Sequence, residues 1–209
     1  MVEIIPAINT TIWKVVEARI KKIEPFVEWA HLDIADGTFT PNTLWHTALD
    51  LVHFKTHMKF EIHMMQENPE ELVEHWFLPS VKRIIVHWET VSDMDFIIRE
   101  CHGEGIEVGL AIADKTSWKK LVPWASKADL LQVLCVPQGF AGQEFHAHNL
   151  IKVKHLRLKC PDAIIEVDGG MNPHTARLAR EHGADIVVAA SYILNAKSPE
   201  KAILELRAV

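Results

Sequence analysis

The chain is poor in cysteine. Cys101, Cys135 and Cys160 are its only three, with no Cys-x-x-Cys pair, which excludes a disulfide-stapled secreted domain. It also lacks a basic excess: 22 Lys and Arg stand against 28 Asp and Glu, for a net charge of −6. A nucleic-acid binder would show a basic stripe. A phosphorylated ligand stays compatible with this charge, because backbone N–H groups hold anions without Lys or Arg. Long apolar runs are missing too. The longest, 186–194, is broken by Ser191 and falls far short of the ~20 residues that span a bilayer. The start, Met1-Val2-Glu3-Ile4-Ile5-Pro6, has neither the basic opening nor the apolar stretch of a signal peptide. The expectation is a cytoplasmic protein that meets neither membrane nor nucleic acid. No Gly/Ser/Pro linker, low-complexity tract or charge block divides the chain, so 1–209 reads as a single domain.

What is present is a real core. Apolar residues make up 48% of the chain and charged residues 24%, ordinary for a globular protein and too apolar for a disordered one. Histidine is abundant, at 13 of 209, and neutral imidazole is a metal ligand and a proton carrier.

Short β-branched or apolar runs recur at 3–8, 27–33, 59–63, 83–87, 107–111, 130–136, 164–168 and 185–189. Helix-like stretches separate them. One runs from Trp13 to Ile23. Another opens at Asn68-Pro69-Glu70-Glu71, where Asn68 reads as an N-cap and proline as the first helical residue. Others open at Asn172-Pro173 and Ser198-Pro199-Glu200. Eight such units, at about 26 residues each, predict a (β/α)₈ barrel in the α/β class. A doubly wound open sheet is disfavoured, because the first strand ends Pro6-Ala7-Ile8-Asn9 with no glycine-rich turn.

Barrel enzymes draw their chemistry from the C-terminal ends of strands. The second strand ends His31-Leu32-Asp33, the third Glu61-Ile62-His63, the fourth Val86-His87-Trp88-Glu89 and the seventh Glu166-Val167-Asp168-Gly169-Gly170. Period-2 alternation puts His31 and Asp33 on one face. His31, Asp33, His63 and Asp168 thus reach one mouth from three strands, and two imidazoles with two carboxylates suit Zn²⁺, Fe²⁺ or Mn²⁺. Spacing alone leaves open both a metal site and ordinary polar strand ends. Small residues follow the sixth strand, at Gly139-Phe140-Ala141-Gly142, and the eighth, at Ala190-Ser191. They suit close approach of an anion to backbone N–H groups and equally suit plain turns. His146-Ala147-His148 has the spacing of a metal pair but no third ligand near it in sequence, so it reads as an exposed loop.

Taken together, these segments resemble the ribulose-phosphate 3-epimerase family along nearly the whole chain. The matching motifs are His31-Leu32-Asp33-Ile34-Ala35-Asp36-Gly37-Thr38-Phe39 with Pro41-Asn42, His63-Met64-Met65 with Glu67-Asn68-Pro69, Val86-His87-Trp88-Glu89, Gly139-Phe140-Ala141-Gly142-Gln143 and Glu166-Val167-Asp168-Gly169-Gly170. The resemblance implies a barrel with one divalent metal, zinc or iron foremost and manganese or cobalt as alternatives. It also implies a homo-oligomer, dimer or hexamer. By it His31, Asp33, His63 and Asp168 would bind the metal, and Asp33 and Asp168 would double as an acid/base pair inverting C3 of D-ribulose 5-phosphate. Gly139, Phe140, Ala141, Gly142, Gly169, Gly170, Ala190 and Ser191 would face the sugar phosphate. Glu61 and Glu166, two residues before ligands on the same strands, should share their inward face, which suits orienting those ligands and equally suits ordinary polar filling of the barrel interior, and His87 would lie near the mouth.

Departures from the family pattern point to other ketose phosphates, hexulose or tetrulose phosphate, as alternatives. A family serine that contacts substrate is Ala7. Of the methionines over the site only Met65 remains, Ala35 and Leu134 standing at the other positions. A Phe-Gly pair reads Trp45-His46, and small-residue turns carry Gln138, Ala141 and Ala190. Two further readings remain. One is a decarboxylase or aldol synthase on a similar barrel, which would need an Asp-x-Lys-x-x-Asp array where this chain has Asp33-Ile34-Ala35-Asp36 without lysine. The other is a non-catalytic sugar-phosphate-binding barrel.

Overall fold

A computed structural model describes residues 2–137 and 144–209. Its strands are β1 (Glu3–Ile8), β2 (Trp29–Ala35), β3 (Lys59–Met65), β4 (Val81–His87), β5 (Glu107–Ile112), β6 (Leu130–Leu134), β7 (Ile165–Asp168) and β8 (Ile186–Ala189). They pair in parallel in sequence order, and β8 returns to β1 to close the barrel. All eight predicted strands are present, with ends shifted by a residue or two. β2 runs on to Ala35 where Asp33 was expected to end it, and β6 stops at Leu134, short of the predicted residue 136.

Alternation along each strand builds two cores. On β2, Ala30, Leu32 and Ile34 face outward into the apolar layer shared with the helices. Inward residues of other strands, Ile5, Ile85, Ala111, Leu130, Leu134 and Ile186, pack with Trp29 inside the barrel. Burying each large aliphatic side chain contributes roughly 1.5–3 kcal/mol before entropy is subtracted, so the outer layer dominates stability by its size. The barrel interior can therefore carry polar groups.

The helical shell is uneven. α1 (Trp13–Ile23) buries Val16, Ile20 and Ile23 at helical spacing and carries Lys21 and Lys22 in its last turn, where the helix dipole favours cations. α2 (Leu49–Val52) is one turn, α3 (Met94–Gly103) starts on an Asp93 cap, and α4 (Leu150–Lys159) precedes β7. α5 (Pro173–Glu181) opens with a full capping box between Asn172 and Thr175. α6 (Ser191–Leu194) is short, and α7 (Pro199–Arg207) is capped by Ser198. No helix among the described residues is long and apolar enough to cross a membrane.

The expected full helices after β3 and β5 are absent. Single 3₁₀ turns take their place, at Pro69–Glu71 and Val73–Trp76, and at Trp118–Lys120 and Val122–Trp124. Asn68 does not cap its turn: it sits at φ 51° in the left-handed region and its side chain accepts no cap bond. An N-cap needs extended backbone, and the following proline excludes right-handed helical geometry at Asn68. Pro123 likewise cannot donate to an i−4 carbonyl.

Candidate active site

Parallel register brings the strand-end residues together. Ala7 pairs with His31 across β1 and β2, and His31 with Glu61 and Asp33 with His63 across β2 and β3. His31, Asp33, His63 and Asp168 each offer a ligand atom within 4.8 Å of the others. All four sequence-predicted metal residues therefore meet at one mouth. Asp33 Oδ1 lies 2.8 Å from His63 Nδ1 and 3.2 Å from His31 Nε2. Asn9, the first residue past β1, donates from Nδ2 to the other Asp33 oxygen at 3.2 Å.

One observation bears directly on metal binding. His31 Nε2 is fully buried and makes no hydrogen bond among the described residues, despite the nearby Asp33 oxygen. Its other nitrogen, Nδ1, is held by Glu61 Oε1 at 2.7 Å. An imidazole fixed by a carboxylate on one side, with its free nitrogen turned toward carboxylates and a second imidazole, is the arrangement that ligates a divalent ion. His63 differs in having a partner at both nitrogens: Nδ1 faces Asp33 Oδ1, while Nε2 lies 2.9 Å from His87 Nε2, and His87 Nδ1 is 3.3 Å from Glu89 Oε2. The donor set fits a metal of the zinc, iron or manganese kind.

Beneath the mouth lies a buried polar layer. Glu61 Oε2 accepts from Arg83 Nη1 at 2.6 Å, and Arg83 also donates from Nε to Glu107 at 2.9 Å. Gln132 donates to Glu166 at 2.8 Å. Glu61 and Glu166 thus face inward below the mouth, in keeping with their position two residues before strand-end ligands, but Glu61 holds His31 of the neighbouring strand rather than His63 of its own, and Glu166 hydrogen-bonds neither. Glu166 Oε1 stands 4.0 Å from His31 Nδ1.

Electrostatics separates these carboxyls. Burial raises Asp33, but the close His31 and His63 imidazoles outweigh it and hold the group well below the ordinary carboxylate range. Asp168 is raised to about 6, first by burial and then by the Asp33 charge. In the lower layer, burial raises Glu61, and the His31 and Arg83 contacts overcome it to lower the group. Glu166 is pushed well up by burial and by Glu61. Burial would lower His31, yet the flanking Asp33 and Glu61 carboxylates raise it well above its ordinary value. Burial keeps His87 below its ordinary value.

The other predicted residues divide. Gly169 and Gly170 take φ values of 106° and 68° at the end of β7, beside Ala190 and Ser191 at the end of β8. A Cβ on Gly169 would lie 2.5 Å from Val136, and one on Gly170 2.9 Å from Phe145, so the chain turns there only because both residues are glycine. Met65 is buried with Ala35 and Leu44 at the end of β3. Gly139, Phe140, Ala141 and Gly142 lie outside the described residues, as does Gln138. Trp45 does not fill the mouth. Its ring lies tilted against Trp13, centroids 5.1 Å apart, and edge-on at 5.6 Å to Trp76, in the outer apolar layer. Sequence reasoning missed Asn9, Arg83 and Gln132. Asn9 follows the first strand directly and was open to the same strand-end logic. Arg83 and Gln132 face inward by alternation but look like unremarkable strand residues without the register.

The chain is similar to known proteins over most of its length. The family model described as "Ribulose-phosphate 3 epimerase family" matches residues 3–194. A ribulose-phosphate 3-epimerase of Chlamydia pneumoniae is 35% identical over 190 residues, covering 86% of this chain and 82% of that protein. One from Schizosaccharomyces pombe is 32% identical over 184 residues, covering 86% and 81%. Among solved structures, a 3-hexulose-6-phosphate synthase superposes with TM-score 0.71 at 16% identity, covering 99% of this chain and 98% of that one, a likeness of fold alone.

Proposed function

Because the chain belongs to the ribulose-phosphate 3-epimerase family, we propose that it inverts C3 of a ketose phosphate, D-ribulose 5-phosphate to D-xylulose 5-phosphate, with Asp33 and Asp168 as the two proton carriers. Its named relatives are epimerases, enzymes of the isomerase class. The observation that carries the reading is the Asp33–Asp168 pair. Two carboxyls meet at one mouth with ligand atoms within 4.8 Å, Asp33 held low by the two imidazoles and Asp168 raised by burial and by the Asp33 charge to about 6, the unlike pair that a two-carboxylate proton exchange needs.

A C–H beside a ketone is a poor acid, and inversion needs a base on one face and an acid on the other. Asp33, held ionised by the two histidines, takes the C3 proton. Asp168, the group that protonates readily, delivers one to the opposite face, and the reverse reaction exchanges the roles. Lewis-acid stabilisation of the charge that develops on substrate oxygen would come from a divalent ion, zinc or iron foremost, when bound. His31, His63, Asp33 and Asp168 would hold it, with Glu61 and His87 fixing the imidazoles. Gly169, Gly170, Ala190 and Ser191, at the ends of β7 and β8, would take the phosphate side.

Ala7 supports a second substrate reading. It is buried next to His31 in register and offers no hydroxyl where the family pattern has serine, so a hexulose or tetrulose phosphate is the alternative sugar. The reading includes a cytoplasmic single-barrel protein that assembles as a dimer or hexamer. The exposed Leu49 and Val52 of α2 border a surface cavity of about 600 Å³, apolar surface that a second copy would cover.

Turnover of a panel of ketose phosphates in deuterated water tests this. Solvent deuterium should appear at C3 of product, and Asp33→Asn and Asp168→Asn should each fall below about a tenth of wild-type kcat. Product without deuterium, or either variant above that level, defeats the two-carboxylate mechanism. Binding without turnover on every sugar would leave a non-catalytic barrel.

A further inference from the structure

His146 and His148 have a third partner after all, supplied from 32 residues upstream. Asp114, two residues past β5, lies with Oδ1 3.0 Å from His146 Nδ1 and 3.5 Å from His148 Nε2. The two rings stack with centroids 5.4 Å apart, and the three potential ligand atoms fall within 4.8 Å of one another. The geometry points to a second metal site, a divalent transition ion held by Asp114, His146 and His148, separate from the four-residue group at the barrel mouth. It does not rest on the epimerase reading and shares no residue with that group.

Three features carry it. The first is spacing. Around a tetrahedral ion with ligand bonds of ~2.0–2.1 Å, neighbouring ligand atoms lie roughly 3.3–3.4 Å apart, and the observed 3.0 and 3.5 Å straddle that value. The second is Asn149. It is fully buried, and its Nδ2 donates to the same Asp114 oxygen, while its Oδ1 is buried without a partner among the described residues. Turned over, that amide would set oxygen against the carboxylate, which is repulsive until a cation stands between them. With one there, the amide oxygen becomes a fourth ligand. The third is support and access. Lys152 Nζ donates to the backbone carbonyls of Ala113 and Asp114, and His146 N–H donates to Cys135 O at 2.7 Å, so both ligand-bearing segments are pinned to the ends of β5 and β6. His148 is 68% exposed in its side chain and gives an ion a path in from solvent. Two imidazoles and one carboxylate select zinc, cobalt or nickel over magnesium or calcium.

Metal content of the full chain tests this. Protein stripped with chelator is dialysed against buffer with micromolar free Zn²⁺, and zinc per chain is measured by mass spectrometry. His146→Ala/His148→Ala should hold one equivalent less than wild type, and so should Asp114→Asn, which keeps the shape of the site. His31→Ala/His63→Ala should keep the equivalent held by this site whether or not the mouth binds metal. Co²⁺ in that last variant should give the visible absorption of a low-symmetry nitrogen–oxygen site, and excess Mg²⁺ should not displace it. Circular dichroism of the metal-free variants checks folding, and His148→Gln, altering only the exposed ligand, serves if the double variant does not fold. Equal zinc in wild type, Asp114→Asn and His148→Gln overturns the proposal.

Discussion

Glu61→Gln isolates the part of the site that positions rather than reacts. Each Glu61 oxygen has its own donor, Oε1 taking His31 Nδ1 at 2.7 Å and Oε2 taking Arg83 Nη1 at 2.6 Å. Glutamine has the same shape but only one acceptor oxygen. One of the two donors must then face an NH₂ group in a fully buried pocket. A hydrogen bond to a charged group contributes about 1.5–3 kcal/mol. Arg83 keeps Glu107 as a second partner, whereas among the described residues the alternative at His31 Nδ1 is Glu166, 4.0 Å away. If the lost bond falls on His31, the imidazole loses its orientation, and zinc affinity should drop about 10- to 100-fold. Loss of the Glu61 charge also eases proton competition at His31, which works in the opposite direction. Titrations at two pH values separate the two, since only proton competition changes with pH. The assay is competition between metal-free protein and a chromophoric zinc chelator, with the half-exposed Glu17→Gln as control. At saturating zinc, Glu61→Gln should recover most turnover, because Glu61 carries no proton of the reaction. A zinc Kd within about twofold of wild type at both pH values would refute the assignment of His31 as a ligand held through Glu61.

Two other outcomes follow from the geometry. Gly169→Ala should lower Tm by roughly 5–10 °C, from about 2–4 kcal/mol of left-handed strain and overpacking against Val136. Gly103→Ala, with nothing within 4 Å of its Cβ, should not, and equal melting of the two variants would dismiss the close approach at Val136. Glu89 is only 20% exposed; burial raises it, but His87, Thr116 and the Ala113 N–H lower it from 4.5 to about 2. A carboxyl lowered on folding stabilises the protein above pH 4.5, and that contribution is lost as pH falls toward 2. It is on the order of 3 kcal/mol. Urea midpoints of metal-free wild type should therefore converge on those of Glu89→Gln between pH 4.5 and 2, and parallel curves would contradict the assignment.

Much of the barrel is legible in the sequence, because parallel strands buried on both faces read as apolar runs with turn residues between them. The mouth residues are legible for a related reason. Alternation sets the facing of His31, Asp33, His63 and Asp168, and strand ends in a barrel converge. Contacts that depend on register are not legible: Arg83 reaching Glu61, Gln132 reaching Glu166, and Asp114 closing on two histidines 32 and 34 residues later. The shell was over-read. Asn68-Pro69-Glu70-Glu71 has the composition of a helix start, yet left-handed backbone at Asn68 leaves only a 3₁₀ turn. Trp45 departs from the family pattern, yet its bulk points toward Trp13 and Trp76, a direction that sequence alone does not carry.

The pairing of His31 with Glu61 and Asp33 with His63 also bears on how the sheet assembles. Side chains alternate with a period of two, so slipping β2 by one residue against β3 would turn it inside out. Leu32 and Ile34 would then enter the polar layer, while the His31 imidazole and the Asp33 carboxylate would be driven into the oily layer under the helices. There each would lie buried with no partner, at a cost of several kcal/mol. Within an otherwise permissive set of valine, isoleucine and leucine strands, the buried polar groups discriminate against the wrong alignment. The side chains fitted for moving protons thus also proofread the closure of the barrel, and substitutions that relax the chemistry will also relax the strand alignment.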